Sequence, residues 1–294
     1  MRARPDGRAA WPLALALCLA LPASLGAAQL RRATGGVTSP VGSRAAPEGA
    51  WALDLAPGVL PLLPTWELAA LHVQGRANSD GRLPFDGEGN ALLFAAPLGA
   101  GLAVGAGVDW RRGLGGEDAG RFSLGVGYAP LRRVFGVGLV LRQHAGGPAA
   151  GVTSLDLGLA LRPSRRLALA LTAHDLLAPT GLDGDGGGTL ATYVLAASLR
   201  LFGDDALTLG ASFAADAEGQ LAVGGRVELR VPRVGYARFA VEAERLRDEE
   251  ASLRFLGGLA FDVGRVRAEG GVVAGDGVRD LAGYAGLRLR GAVA

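Results

Sequence analysis

From about residue 65 onward the sequence alternates with a period of two, and its charged residues keep to one side of that alternation. Phe122, Leu124, Val126 and Tyr128 interleave with Ser123, Gly125, Gly127 and Ala129. Leu155, Leu157, Leu159 and Leu161 interleave with Asp156, Gly158, Ala160 and Arg162. Leu253, Phe255, Leu259 and Phe261 share one parity, and Arg254 and Asp262 hold the other. Successive side chains of a strand point to opposite faces, so each segment reads as a ribbon with one apolar face. The 48 Gly in 294 residues argue against helices, because an interior Gly costs about 1 kcal/mol relative to Ala. After the N-terminus no stretch is long and apolar enough for a transmembrane helix.

The alternation predicts strands over 65–76, 89–96, 99–111, 120–129, 133–143, 152–162, 166–177, 190–201, 206–214, 219–230, 234–245, 251–263, 265–274 and 279–290. The connections alternate between long and short. Long ones carry acids, among them Asp80, Asp86, Asp183, Asp185, Asp248 and Asp276, whereas short ones carry Arg132, Arg165 and Arg233. Short turns at one end and longer loops at the other are the pattern of outer-membrane barrels. The expected fold is all-β: a transmembrane, antiparallel, up-and-down β-barrel of about fourteen strands, with twelve or sixteen as alternatives, after a cleaved signal peptide.

What the large apolar face touches decides between a membrane barrel and a soluble sandwich. In the last five strands the opposite face is charged, with Arg226, Glu228, Arg230, Arg238, Glu242, Glu244, Arg254, Asp262, Arg267, Glu269, Arg288 and Arg290. An Arg facing lipid near the bilayer midplane costs about 2–4 kcal/mol, so these groups must face an enclosed space. The candidate site is therefore a lumen charge cluster of Arg226, Glu228, Glu242, Glu244, Arg254, Arg267, Glu269 and Arg288. Of these, Arg226, Arg254, Arg267 and Arg288 are expected to set selectivity. In the first half the same face is mostly Gly and Ala. Trp51, Trp66, Trp110 and Tyr128 are candidates for interfacial girdles.

The first 28 residues read as an export signal. Arg2, Arg4 and Arg8 precede an apolar run from Trp11 to Leu25, and Gly26, Ala27 and Ala28 offer a cleavage site. The single cysteine, Cys18, lies within this segment, where Leu17 is too large for a lipoprotein site. The mature chain then has no thiol. Residues 29–64 read as a flexible periplasmic leader and residues 65–294 as the barrel. Outer-membrane localisation follows. The expected partners are outer-membrane lipid, the barrel-assembly machinery and a periplasmic protein. Nucleic acid is not expected, since net charge is +2 and the arginines are scattered.

No catalytic residue, metal ligand or cofactor site is expected. His72 falls in the first strand and His144 at a long loop; His174 shares the inward parity with Asp156 on the neighbouring strand. An Asp–His pair can orient a general base, but no G-x-S-x-G elbow accompanies it, so a lumen hydrogen bond is expected. Asp183 and Asp185 stand in a Gly-rich run that lacks the closing Glu of a calcium loop. A phosphate-binding P-loop is excluded because the chain has no Lys.

Several segments resemble a known group of barrels. They are Asn90-Ala91-Leu92-Leu93-Phe94 followed by Pro97-Leu98-Gly99-Ala100-Gly101-Leu102, and Asp109-Trp110. Leu155 to Ser164 and the run Ala173-His174-Asp175-Leu176 belong with them. Together they are similar to the long-chain fatty-acid-transporter and PorV-like outer-membrane barrels, in particular the barrel that precedes a signal peptide peptidase domain in some myxobacterial proteins. That peptidase uses a Ser–Lys dyad, so no protease role carries over to a chain without Lys. The transporter group also often carries an Asn-Pro motif after its leader. Residues 51–64 show Pro57, Pro61 and Pro64 without it, so the resemblance does not carry over that group's plug region. The chain ends in Gly291-Ala292-Val293-Ala294 rather than in an aromatic residue; a degenerate insertion signal or a longer polypeptide is expected. The expected function is a pore or transport role for small or hydrophobic solutes. The alternatives are a non-catalytic membrane anchor or scaffold, such as the first part of a signal peptide peptidase-like protein, and a hydrolase using His174.

Overall fold

A computed structural model describes residues 37, 43–47, 49–75, 88–112, 118–131, 133–147, 149–177, 191–216, 220–231, 234–245, 252–274 and 281–292. The segment read as an export signal and most acids of the long connections lie outside these residues. Fourteen strands follow one another: β1 (Glu67–Gly75), β2 (Glu88–Gly99), β3 (Leu102–Arg112), β4 (Asp118–Leu131), β5 (Phe135–Gly146), β6 (Thr153–Leu161) and β7 (Leu167–His174), then β8 (Thr192–Arg200), β9 (Leu207–Asp216), β10 (Leu221–Val231), β11 (Gly235–Arg245), β12 (Ser252–Val263), β13 (Val266–Ala274) and β14 (Leu281–Arg290). Each pairs antiparallel with its neighbours in sequence. β1 closes on β14 in register from Glu67↔Arg290 to Gly75↔Ala282, so the sheet has no edge.

Every predicted strand is present, with ends displaced by a few residues. β5 runs on to Gly146, so His144, expected at a loop, is an inward strand residue. The outer surface is apolar, with Leu124, Val126, Leu195, Phe239, Leu259 and Leu287 exposed. The opposite parity is buried. No helix among the described residues is long and apolar enough to cross a membrane, whereas a closed barrel with this outer face satisfies its backbone and can sit in hydrocarbon.

Residues 49–63, expected within a flexible periplasmic leader, occupy the lumen. They form a 3-10 turn at Gly49–Trp51, one α-helical turn at Ala52–Leu55 and a second 3-10 stretch at Pro57–Leu62. Leu53, Val59 and Leu60 are fully buried. Trp51 is buried too, so it is not a girdle residue, while Trp66, Trp110 and Tyr128 are exposed. The physical reason is room. About eight strands enclose only what side chains fill, and fourteen enclose more. The inward glycines of β3 to β6 enlarge the space further. A Cβ at Gly138 would lie 2.1 Å from the Pro57 carbonyl oxygen, and one at Gly58 would lie 2.6 Å from the Leu159 backbone. The Gly face of the first half is therefore the seat of a plug.

Candidate functional site

Two hydrogen-bonded charge networks line the lumen, one on each side. The first ties the plug to β3–β7. Asp54, on the α-helical turn, accepts from Arg121 Nη2 at 2.9 Å and from Arg142 Nη2 at 3.3 Å. Arg121 Nε donates to Asp109 at 2.7 Å, and Arg142 bonds both Asp156 and the Leu53 carbonyl. Asp156 Oδ2 also lies 2.5 Å from His174 Nδ1, and its other oxygen accepts from the Asp175 N–H at 3.0 Å. An ionised carboxylate only accepts, so the His174 proton sits on Nδ1 in this arrangement. All these side chains are almost wholly buried.

The inward Asp156–His174 pair is thus part of a structural network, with Asp156 shared with Arg142. Ser154 bonds His144, its Oγ lying 3.3 Å from Nε2. His72 faces outward and meets Asn90 at 2.9 Å. No group of three or more metal-ligating side chains occurs among the described residues.

The second network spans β10 to β1 and alternates in sign. Arg226 meets Glu228 at 3.4 Å, and Glu228 accepts from Arg238 Nε at 2.7 Å. Arg238 reaches Glu269 at 3.1 Å, which accepts from Arg288 at 2.5 Å. Arg288 faces Glu67 at 3.9 Å, and Glu67 accepts from Arg290 Nε at 2.7 Å. Glu67 also accepts the Ala50 N–H at 3.0 Å, which joins this network to the start of the plug. Arg267 pairs with Asp262 at 2.5 Å and lies over the Tyr236 ring, 4.3 Å from its centroid.

Of the predicted cluster, Arg226, Glu228, Arg267, Glu269 and Arg288 are thus inward, buried and ion-paired. Glu242, Glu244 and Arg254 have side chains outside the described residues; their backbones lie in register, Glu242 opposite Arg254. Sequence reasoning missed Asp54, Asp109, Arg121 and Arg142. The available signal was the run of inward glycines, which leaves a hollow that some other segment has to fill. Buried pairs of this kind add little net stability, yet removing one partner is costly, so they fix which wall each element meets.

No family model and no curated protein matches the sequence. Solved structures do share the fold. The CymD monoaromatic hydrocarbon channel is 10% identical, with a TM-score of 0.57 over 87% of this chain and 99% of that one. The Ralstonia pickettii toluene transporter TbuX is 12% identical, with a TM-score of 0.55 over 88% and 96%. A Pseudomonas aeruginosa FadL homologue is 10% identical, with a TM-score of 0.52 over 87% and 98%. The chain thus shares its closed antiparallel barrel fold with these proteins, and FadL-type outer-membrane barrels are among its structural neighbours. None of these three is described as an enzyme.

Proposed function

We propose that this chain is an outer-membrane channel for small or hydrophobic solutes whose lumen is closed by residues 49–63. The observation that carries this reading is the construction of the plug. A barrel serving only as an anchor can fill itself with wall side chains. This one hollows its wall with glycine, then fills the hollow with a separate segment that Asp54 clamps to Arg121 and Arg142. A separate segment can shift without breaking the sheet. The barrels that share this fold include a monoaromatic hydrocarbon channel and a toluene transporter, which points to solutes of that apolar kind. The charge-compensated networks leave Arg226, Arg267 and Arg288 little free charge with which to select ions.

The test compares the wild type, Asp54→Asn and a variant lacking 49–63 in planar bilayers and in proteoliposomes loaded for toluene and sugar flux. Folding of each is checked by heat-modifiable gel mobility. The wild type is expected to show low conductance, and both variants at least tenfold more conductance or flux. Correctly folded variants that pass neither current nor solute contradict the channel. They would favour an anchor for a periplasmic partner or for a fused peptidase domain.

A further inference from the structure

At the short-turn end of the barrel a cavity of about 630 Å³ opens below the plug. Its apolar wall is the plug's last turn, Pro61, Leu62 and Leu63. Its polar wall is an arc of arginines on successive connections: Arg133 between β4 and β5, Arg162 between β6 and β7, and Arg200 at the end of β8. Backbone bonds hold the arc together, the Arg162 N–H to the Val134 carbonyl at 2.6 Å and the Arg200 N–H to the Arg166 carbonyl at 2.7 Å. Among the described residues the one carboxylate lining the cavity is Glu67, which is already engaged by Arg290 and by the Ala50 N–H.

We propose that this mouth is a binding site for a phosphate group, held by Arg133, Arg162 and Arg200. Guanidinium forks match phosphate oxygens, and three cations around one site suit a dianion better than a single carboxylate. Among the described residues no carboxylate is ion-paired with these three arginines. Burial, then the neighbouring charge of Arg200, pushes the Arg162 guanidinium below its ordinary range. Arg162 is partly buried beside the exposed Arg200, and an anion between two neighbouring guanidinium groups offsets their repulsion. Arg133 holds φ at 68°, a left-handed turn conformation that glycine would adopt freely. The site does not depend on whether the lumen conducts.

The phosphate has two possible sources, a phospholipid headgroup of the adjoining leaflet or a free phosphate. The purified full chain in detergent is titrated calorimetrically with inorganic phosphate, with sulfate and chloride as controls. Bound phospholipid is quantified after detergent exchange. The same is done for Arg162→Gln/Arg200→Gln, whose fold is checked by heat-modifiable mobility. Phosphate binding at least tenfold weaker in the double variant supports the site with a free ligand. Phospholipid retained by the wild type and lost from the variant supports it with a lipid ligand. Neither phosphate binding nor lipid retention, or values equal in both proteins, overturns the proposal.

Discussion

Gly138 illustrates how closely the plug meets the wall. Its position faces the Pro57 carbonyl so directly that a methyl group would stand 2.1 Å from that oxygen. Gly257, by contrast, faces open space with nothing within 4 Å. Gly138→Ala is therefore expected to destabilise the barrel by about 1–3 kcal/mol through overpacking, and Gly257→Ala to be near neutral. Equilibrium denaturation of both variants in detergent checks this pair; equal effects would mean that the plug does not press on β5. The same reasoning explains why Gly105, Gly125, Gly127, Gly136, Gly138 and Gly158 recur at strand alternation: each stands where a side chain would collide with residues 53–62.

Among the elements, the strands were legible in the sequence and the plug was not. Leu155 to Leu161 alternate cleanly because one face meets hydrocarbon and the other does not, and a period of two is visible within nine residues. Residues 49–63 offer no such period. Pro57 and Pro61 interrupt the segment, and its one α-helical turn spans only Ala52–Leu55, too short for a 3.6-residue pattern. Its partners, Arg121 and Arg142, are 67 and 88 positions away from Asp54, so the clamp exists only once the barrel closes. The short turns have pairs of their own. Asp205, between β8 and β9, accepts from Arg230 at the end of β10 and from Tyr236 of β11 at 3.2 Å. Burial alone would raise its carboxyl, but the Arg230 hydrogen bond and charge outweigh it and hold Asp205 below its ordinary range. A depressed folded-state pKa stabilises the turn above the unfolded value of about 4, and that contribution is lost as pH falls through the folded value. Asp205→Asn should be less stable than wild type at pH 7 and lose its disadvantage in strong acid. Melting curves measured from pH 7 down to pH 2 check this, and a constant gap throughout would contradict it.

For the whole molecule, the two faces of one closed sheet separate three environments. The outer side chains belong in lipid, the glycines of β3 to β6 meet a plug, and the charges of β10 to β14 meet one another. A soluble sheet would reverse the first of these. The chain's single cysteine lies at position 18, before the barrel, so cysteines placed one at a time from 193 to 199 along β8, whose burial alternates without glycine, can each carry a spin label in reconstituted membranes. The collision rate of each label with oxygen, which concentrates in hydrocarbon, is then compared with that of a water-soluble nickel complex. Labels at 193, 195, 197 and 199 should favour oxygen and those at 194, 196 and 198 should be shielded from both reagents, a period of two along the strand. Odd-numbered positions that favour the nickel complex, or a profile without alternation, would contradict a barrel whose apolar face lies in the membrane.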